Sequence, residues 1–159
     1  MNLNQNKLKA SVTLLRIFIG WHFLFEGVVK MYNPEWTSFG YLATAQGPFD
    51  WFFTMLIGDA AIGWVDTLNI IALMVVGVTF TLGIFERIGA IVGVGLLALY
   101  FLAHPPFPGL TQMNVEGNYW IINKNLIELV ACIVIYQLPT GAYFGLDYLR
   151  KNNLKTQEQ

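Results

Sequence analysis

Between residues 68 and 85 the chain carries no charged side chain, and comparable apolar runs recur on either side of that segment. A hydrocarbon core of about 30 Å is crossed by about 20 helical residues. At that depth no water is available, so backbone N–H and C=O groups must pair within the protein, as a helix allows. Four segments qualify or nearly do: residues 10–31, 64–85, 88–103 and 119–138. The third is short and ends at His104-Pro105-Pro106; the fourth holds Asn123, Lys124, Asn125 and Glu128 in its first half and ends at Pro139. The first is read as a retained helix, because Arg16, Glu26 and Lys30 interrupt the apolar run and no small-residue cleavage site follows. The expected fold is all-α: one integral membrane domain over residues 1–159, a four-helix bundle, with a polar tail at 151–159.

Composition narrows the function classes. The chain is 55% hydrophobic and 12% charged, with a mean hydropathy of +0.52. A soluble domain carries roughly twice that charge. The net charge of −1 gives no footing for nucleic acid. Cys132 is the single cysteine, so an intramolecular dithiol–disulfide cycle is excluded. No Cys–His cluster offers ligands to zinc or iron–sulfur, and no metal is expected.

Lys and Arg near the segment ends set orientation. Lys7, Lys9, Arg87, Arg150, Lys151 and Lys155 gather on one side. Lys30 and Lys124 lie on the other, with Glu35, Asp50, Asp59 and Glu116. Both termini are therefore expected on the cytoplasmic side, with a tight inner turn at Glu86-Arg87 and outer loops at 32–63 and 104–118. The first outer loop holds Trp36, Phe39, Tyr41, Phe49, Trp51, Phe52 and Phe53, too apolar for a solvated linker. Aromatic rings favour the headgroup layer, so residues 48–62 are expected to form a short helix lying at the interface or capping the bundle, the aromatics serving as interfacial anchors or as a lid over a bound lipid or quinone.

The first segment also carries Arg16, His22, Glu26 and Lys30. An ionisable side chain at bilayer depth costs roughly 2.5–3.5 kcal/mol, so these groups need partners, water or a task. His22, Glu26 and Lys30 repeat every fourth residue and share one helix face, with Arg16 deeper. Gly20 and Gly27 flank that stripe and admit a neighbouring backbone. The orientation puts Asp66, His104, Lys124, Asn125 and Glu128 at a similar depth, which predicts a polar pocket open to the outer face. Bland alternatives stand beside that reading. Glu26–Lys30 and Lys124–Glu128 are candidate structural pairs, Arg16 a candidate helix tie, and His104 a candidate helix-end residue.

Arg16-x3-Gly20-x2-Phe23-x3-Gly27-x2-Lys30 resembles the first-helix pattern of the DoxX/DoxD family of small bacterial membrane proteins. Leu82-Gly83 with Glu86-Arg87, then Lys124-Asn125-Leu126 and Gly145-Leu146-Asp147, resemble later parts of the family in the right order. The resemblance implies a four-helix bundle in the bacterial inner (cytoplasmic) membrane. It also implies similarity to the membrane subunit of thiosulfate:quinone oxidoreductase, which passes electrons from thiosulfate to quinone. A quinone-linked oxidoreductase subunit is thus the leading expectation, with quinone as cofactor. Quinone reduction needs a proton donor near each carbonyl oxygen, and His22 with Glu26 is the candidate catalytic pair. Lys30 and Lys124 would attract an oxyanion at the outer mouth. The expected partners are membrane lipid, a redox partner on another polypeptide, and a second copy of the chain. Two other classes stay open: a non-enzymatic scaffold or accessory subunit, and a small-solute or proton pathway continuing through Arg16. A haem held by His22 and His104 is disfavoured because their expected depths differ by several turns.

Overall fold

The computed structural model describes residues 3–110 and 119–150, and the structural statements that follow concern those residues. Glu116, Lys151, Lys155 and the tail at 151–159 lie outside them. The chain is all-helical: α1 (Leu3–Tyr32), α2 (Phe39–Ala43), α3 (Asp50–Met55), α4 (Ile62–Leu82), α5 (Glu86–Ala103), α6 (Lys124–Gln137) and α7 (Gly141–Phe144). Three helices are long and apolar enough to cross a membrane: Asn4–Tyr32, Ile62–Leu82 and Glu86–Ala103.

The helix ends follow from local chemistry. Pro34 lies just beyond α1, and Pro105 stops α5 at His104, since the residue before a proline is pushed out of the helical region. Gly83 closes α4 in the left-handed conformation, φ 66°, which a residue without Cβ adopts at little cost. The expected segment at 119–138 starts later than its hydropathy suggests. Asn123 caps α6 by accepting from the Leu126 N–H at 3.0 Å. Upstream, Tyr119 and Ile122 pair across a turn that holds Trp120 at φ 69°. The result is a helix of 14 residues, short of the roughly 20 that a full crossing takes. Within the stretch 48–62, where a short helix is expected, α3 covers Asp50–Met55. Ordered structure begins earlier, with α2, and α3 gives way to turns around Gly58.

Apolar burial does little to join helices in lipid, so close packing and buried polar links carry the association. α1 and α4 make the most extensive contact. A Cβ on Gly20 would lie 2.7 Å from the Thr81 nitrogen, and one on Gly77 would lie 2.6 Å from the Leu24 backbone. Glycine at these two points lets the helix backbones meet. α4 and α5 form an antiparallel hairpin, and α6 packs along α5 and touches α1. Phe23, Val76, Phe80, Leu97 and Ile135 bring all four long helices into one apolar core. A smaller core of Leu42, Phe53 and Ala103 seats α2 and α3 on the far end of α5.

At the end bearing the α4–α5 turn, one ion pair joins the termini to the hairpin. Arg16 Nη1 meets Glu86 Oε1 at 2.5 Å, with the two side chains 1% and 2% exposed. Arg16 Nη2 donates to the Phe144 carbonyl at 2.9 Å, and Glu86 Oε2 accepts from the Thr140 N–H at 2.8 Å. Breaking a buried pair by removing one partner costs about 3–5 kcal/mol, since the other charge is left uncompensated. Arg16→Ala and Glu86→Ala are each expected to lower stability by about that amount. Arg16→Met combined with Glu86→Leu is expected to recover most of it. Equilibrium unfolding in mixed micelles measures all three, and a double variant no better than the singles would refute the account.

Candidate functional site

Above the apolar core, toward α2 and α3, the helices enclose a cavity of about 750 Å³. Its polar wall comes from α1 and α6. His22, Glu26 and Lys30 face it from α1, and Lys124, Asn125 and Glu128 face it from the first turns of α6. The i, i+4 spacing on α1 puts its three residues on one stripe. Lys30 Nζ donates to Glu26 Oε2 at 3.0 Å and lies 5.4 Å from the centre of the Trp36 ring. His22 Nε2 approaches Glu128 Oε1 at 3.4 Å, so a polar link crosses between α1 and α6. His22 therefore has its cross-helix neighbour in Glu128, while Glu26, one turn along, is bonded to Lys30.

The opposite wall is apolar and comes from α4 and α5, with Val65, Leu68, Leu73, Leu96 and Leu99 among its side chains. One polar inset interrupts it: the Tyr100 hydroxyl donates to Asn69 Oδ1. Trp36, Tyr41, Phe52 and Phe53 close the end of the cavity from the loop.

Six of the nine expected site residues thus surround one cavity: His22, Glu26, Lys30, Lys124, Asn125 and Glu128. The other three do not line it. Arg16 is turned to the hairpin end and held by Glu86 and the Phe144 carbonyl. Along α1 it lies beyond Gly20, which packs against Phe80 and Thr81 of α4. Asp66 accepts from both the N–H (2.8 Å) and the hydroxyl of Ser38, anchoring the start of α2 to α4. His104 is buried, and its Nε2 donates to the Tyr41 carbonyl at 2.8 Å while its ring packs edge-on against the Tyr41 ring. A carbonyl only accepts, so that nitrogen carries the proton and is committed to the loop. Asp66 and His104 hold the cover of the cavity in place. No group of His, Cys, Asp and Glu that could hold a metal occurs among the described residues.

Asn69, Tyr100, Ser38 and Tyr41 were not among the expected site residues. Asn69 and Tyr100 had a signal: a side-chain amide and a phenol within membrane-length apolar segments. Tyr41 stood out only as one of the loop aromatics, because its cavity position depends on the fold of the loop.

The DoxX family model matches residues 11–105. The chain belongs to the DoxX family. The match spans α1 to α5 and with them the α1 stripe, the loop cover and the apolar wall; Lys124, Asn125 and Glu128 lie beyond it. No curated protein sequence and no solved structure matches the chain. As a DoxX family member with three membrane-length apolar helices, it is a membrane protein.

Tyr41 supplies a pH test of the loop. Burial, and secondly the neighbouring Tyr100, push its phenol above the usual tyrosine range. The folded loop then keeps a proton that the unfolded loop releases, so loop stability is complete below the unfolded pKa of about 10 and falls as pH rises past it. Once the base-catalysed intrinsic rate is divided out, hydrogen-exchange protection at residues 38–57 is expected to fall above about pH 10, and Tyr41→Phe is expected to remove most of that fall. An equal fall in wild type and variant would assign the effect to another group.

Proposed function

We propose that this chain is the quinone-binding membrane subunit of an oxidoreductase, with the 750 Å³ cavity as the quinone site. The observation that carries the reading is the division of that cavity into a charged wall and an aliphatic wall. Ligand sites of roughly 300–1,000 Å³ usually combine mostly apolar lining with a few placed polar groups, and a quinone has both characters. The residues fit such a ligand. His22 and Glu26 would hold a proton near a ring oxygen, Lys30 and Lys124 would favour negative charge there, and Trp36, Phe52 and Phe53 would exclude water. A bound quinone supplies two-electron, two-proton redox chemistry. The electrons would arrive from a partner polypeptide, and likeness to the thiosulfate:quinone type makes thiosulfate the candidate donor.

In this reading α6 completes a four-helix bundle in the bacterial inner membrane, with α2 and α3 at its outer interface. Lys7, Lys9, Arg87 and Arg150 belong to the hairpin end, and their excess of positive charge favours that end as cytoplasmic. A second copy of the chain is a further possible component of the complex. A non-enzymatic accessory role is the second reading. Its support is the internal pairing of Arg16 with Glu86 and of Lys30 with Glu26, which accounts for those four charges without chemistry.

The test is mass spectrometry of lipids and proteins that co-purify in mild detergent. A stoichiometric quinone is expected. A hydrogen bond to a charged group contributes roughly 1.5–3 kcal/mol, so Glu26→Gln should weaken retention about 10–100-fold. Co-purification of a defined partner chain without quinone would replace this reading with the accessory one.

A further inference from the structure

The cavity has two seams through which it could meet the lipid phase, and they differ in chemistry. Between α1 and α6 lies a separate hollow of about 400 Å³, lined by Ile19, Tyr119, Lys124, Ile127 and Glu128. Lys124 and Glu128 face both hollows, and the His22–Glu128 link crosses this seam. An apolar chain passing here would have to run against the Lys124 and Glu128 side chains and part a polar contact, which is costly in a low-dielectric setting.

The α4–α5 seam is different. Leu68 on α4 and Leu99 on α5 both line the cavity, and they are 62% and 46% exposed. A residue that is at once cavity wall and molecular surface marks an opening. The hairpin is tight at its turn, where a Cβ on Gly89 would strike Thr79. At the level of the opening the two helices are joined instead through long side chains, by the hydrogen bond from Tyr100 to Asn69. These residues immediately follow Leu68 and Leu99 in sequence. That bond holds the seam at the width of two side chains and sits on the apolar wall, opposite the charged one.

We propose that the α4–α5 seam at Leu68 and Leu99 is a lateral portal, through which the isoprenoid or alkyl tail of the bound ligand reaches the bilayer while its polar ring stays against α1 and α6. The inference rests on the quinone reading above and adds which wall faces which part of the ligand. The aliphatic lining accepts a tail without leaving any polar group unsatisfied.

The experiment compares two probes in nanodiscs: a tail-free dimethoxy-methyl-benzoquinone and the same ring carrying a decyl chain. Wild type, Leu68→Trp, Leu99→Trp and Ile127→Trp are each titrated at equal membrane-phase concentrations. Both leucines are exposed, so an indole is accommodated without repacking the core, and an unchanged melting temperature verifies this. Leu68→Trp and Leu99→Trp are expected to weaken the decyl probe by about tenfold or more while leaving the tail-free probe within about twofold; Ile127→Trp is expected to change neither. Selective loss of the decyl probe in Ile127→Trp would move the portal to the α1–α6 seam and overturn the proposal. Equal loss of both probes in the leucine variants, or loss of neither, would also overturn it while the quinone reading stands. Failure of wild type to bind either probe would remove the quinone reading, and the portal with it.

Discussion

The buried pair of Arg16 and Glu86 is the interaction on which the arrangement of the helices depends. Neither charge can be left alone in apolar surroundings, so each finds the other across seventy residues of sequence. Their remaining polar atoms reach further. The guanidinium holds the Phe144 carbonyl at the end of α7, and the carboxylate holds the Thr140 N–H at its start. Gly83 lies against the same guanidinium, with no room for a Cβ. One ion pair therefore sets the height of α1 against the α4–α5 turn and seats the segment that follows α6.

With that end fastened, the other end is free to hold a cavity. α1 meets α4 through glycines, α4 meets α5 through small residues near the turn, and the apolar core closes the space between the two ends. Beyond the core, long polar side chains replace small ones as spacers: His22 toward Glu128, and Tyr100 to Asn69. Helices held apart by such links leave volume between them. The loop covers that volume, tied by Ser38 to Asp66, by Tyr41 to His104, and by the Gln46 N–H to the Ala103 carbonyl at 2.8 Å. The same polar residues that space the helices also face the cavity, which links the packing of this DoxX family member to its proposed ligand.

Some of this was legible along the chain. The stripe of His22, Glu26 and Lys30 follows from helical geometry alone, and Lys124, Asn125 and Glu128 follow from chain orientation. Asp66 and His104 were legible as polar groups at the right depth, but not as loop anchors, because their partners Ser38 and Tyr41 are set by the path of the loop. Arg16 was legible as a charge needing a partner. Glu86 was not legible as that partner, since it reads locally as a turn residue beside Arg87. The start of α6 was missed because hydropathy averages over Asn123, whose side chain ends the preceding turn by capping.

The sequence by itself determined that this is an all-helical membrane protein with an ionisable stripe on its first helix. Backbone hydrogen bonding in lipid admits little else for such apolar runs, and the stripe is a matter of spacing. Only the tertiary structure decided which charges pair, where α6 begins, and which wall of the cavity is polar. Those outcomes depend on contacts between residues far apart in the chain, and a buried charge is satisfied by whichever partner the packing brings within reach, not by its neighbours in sequence.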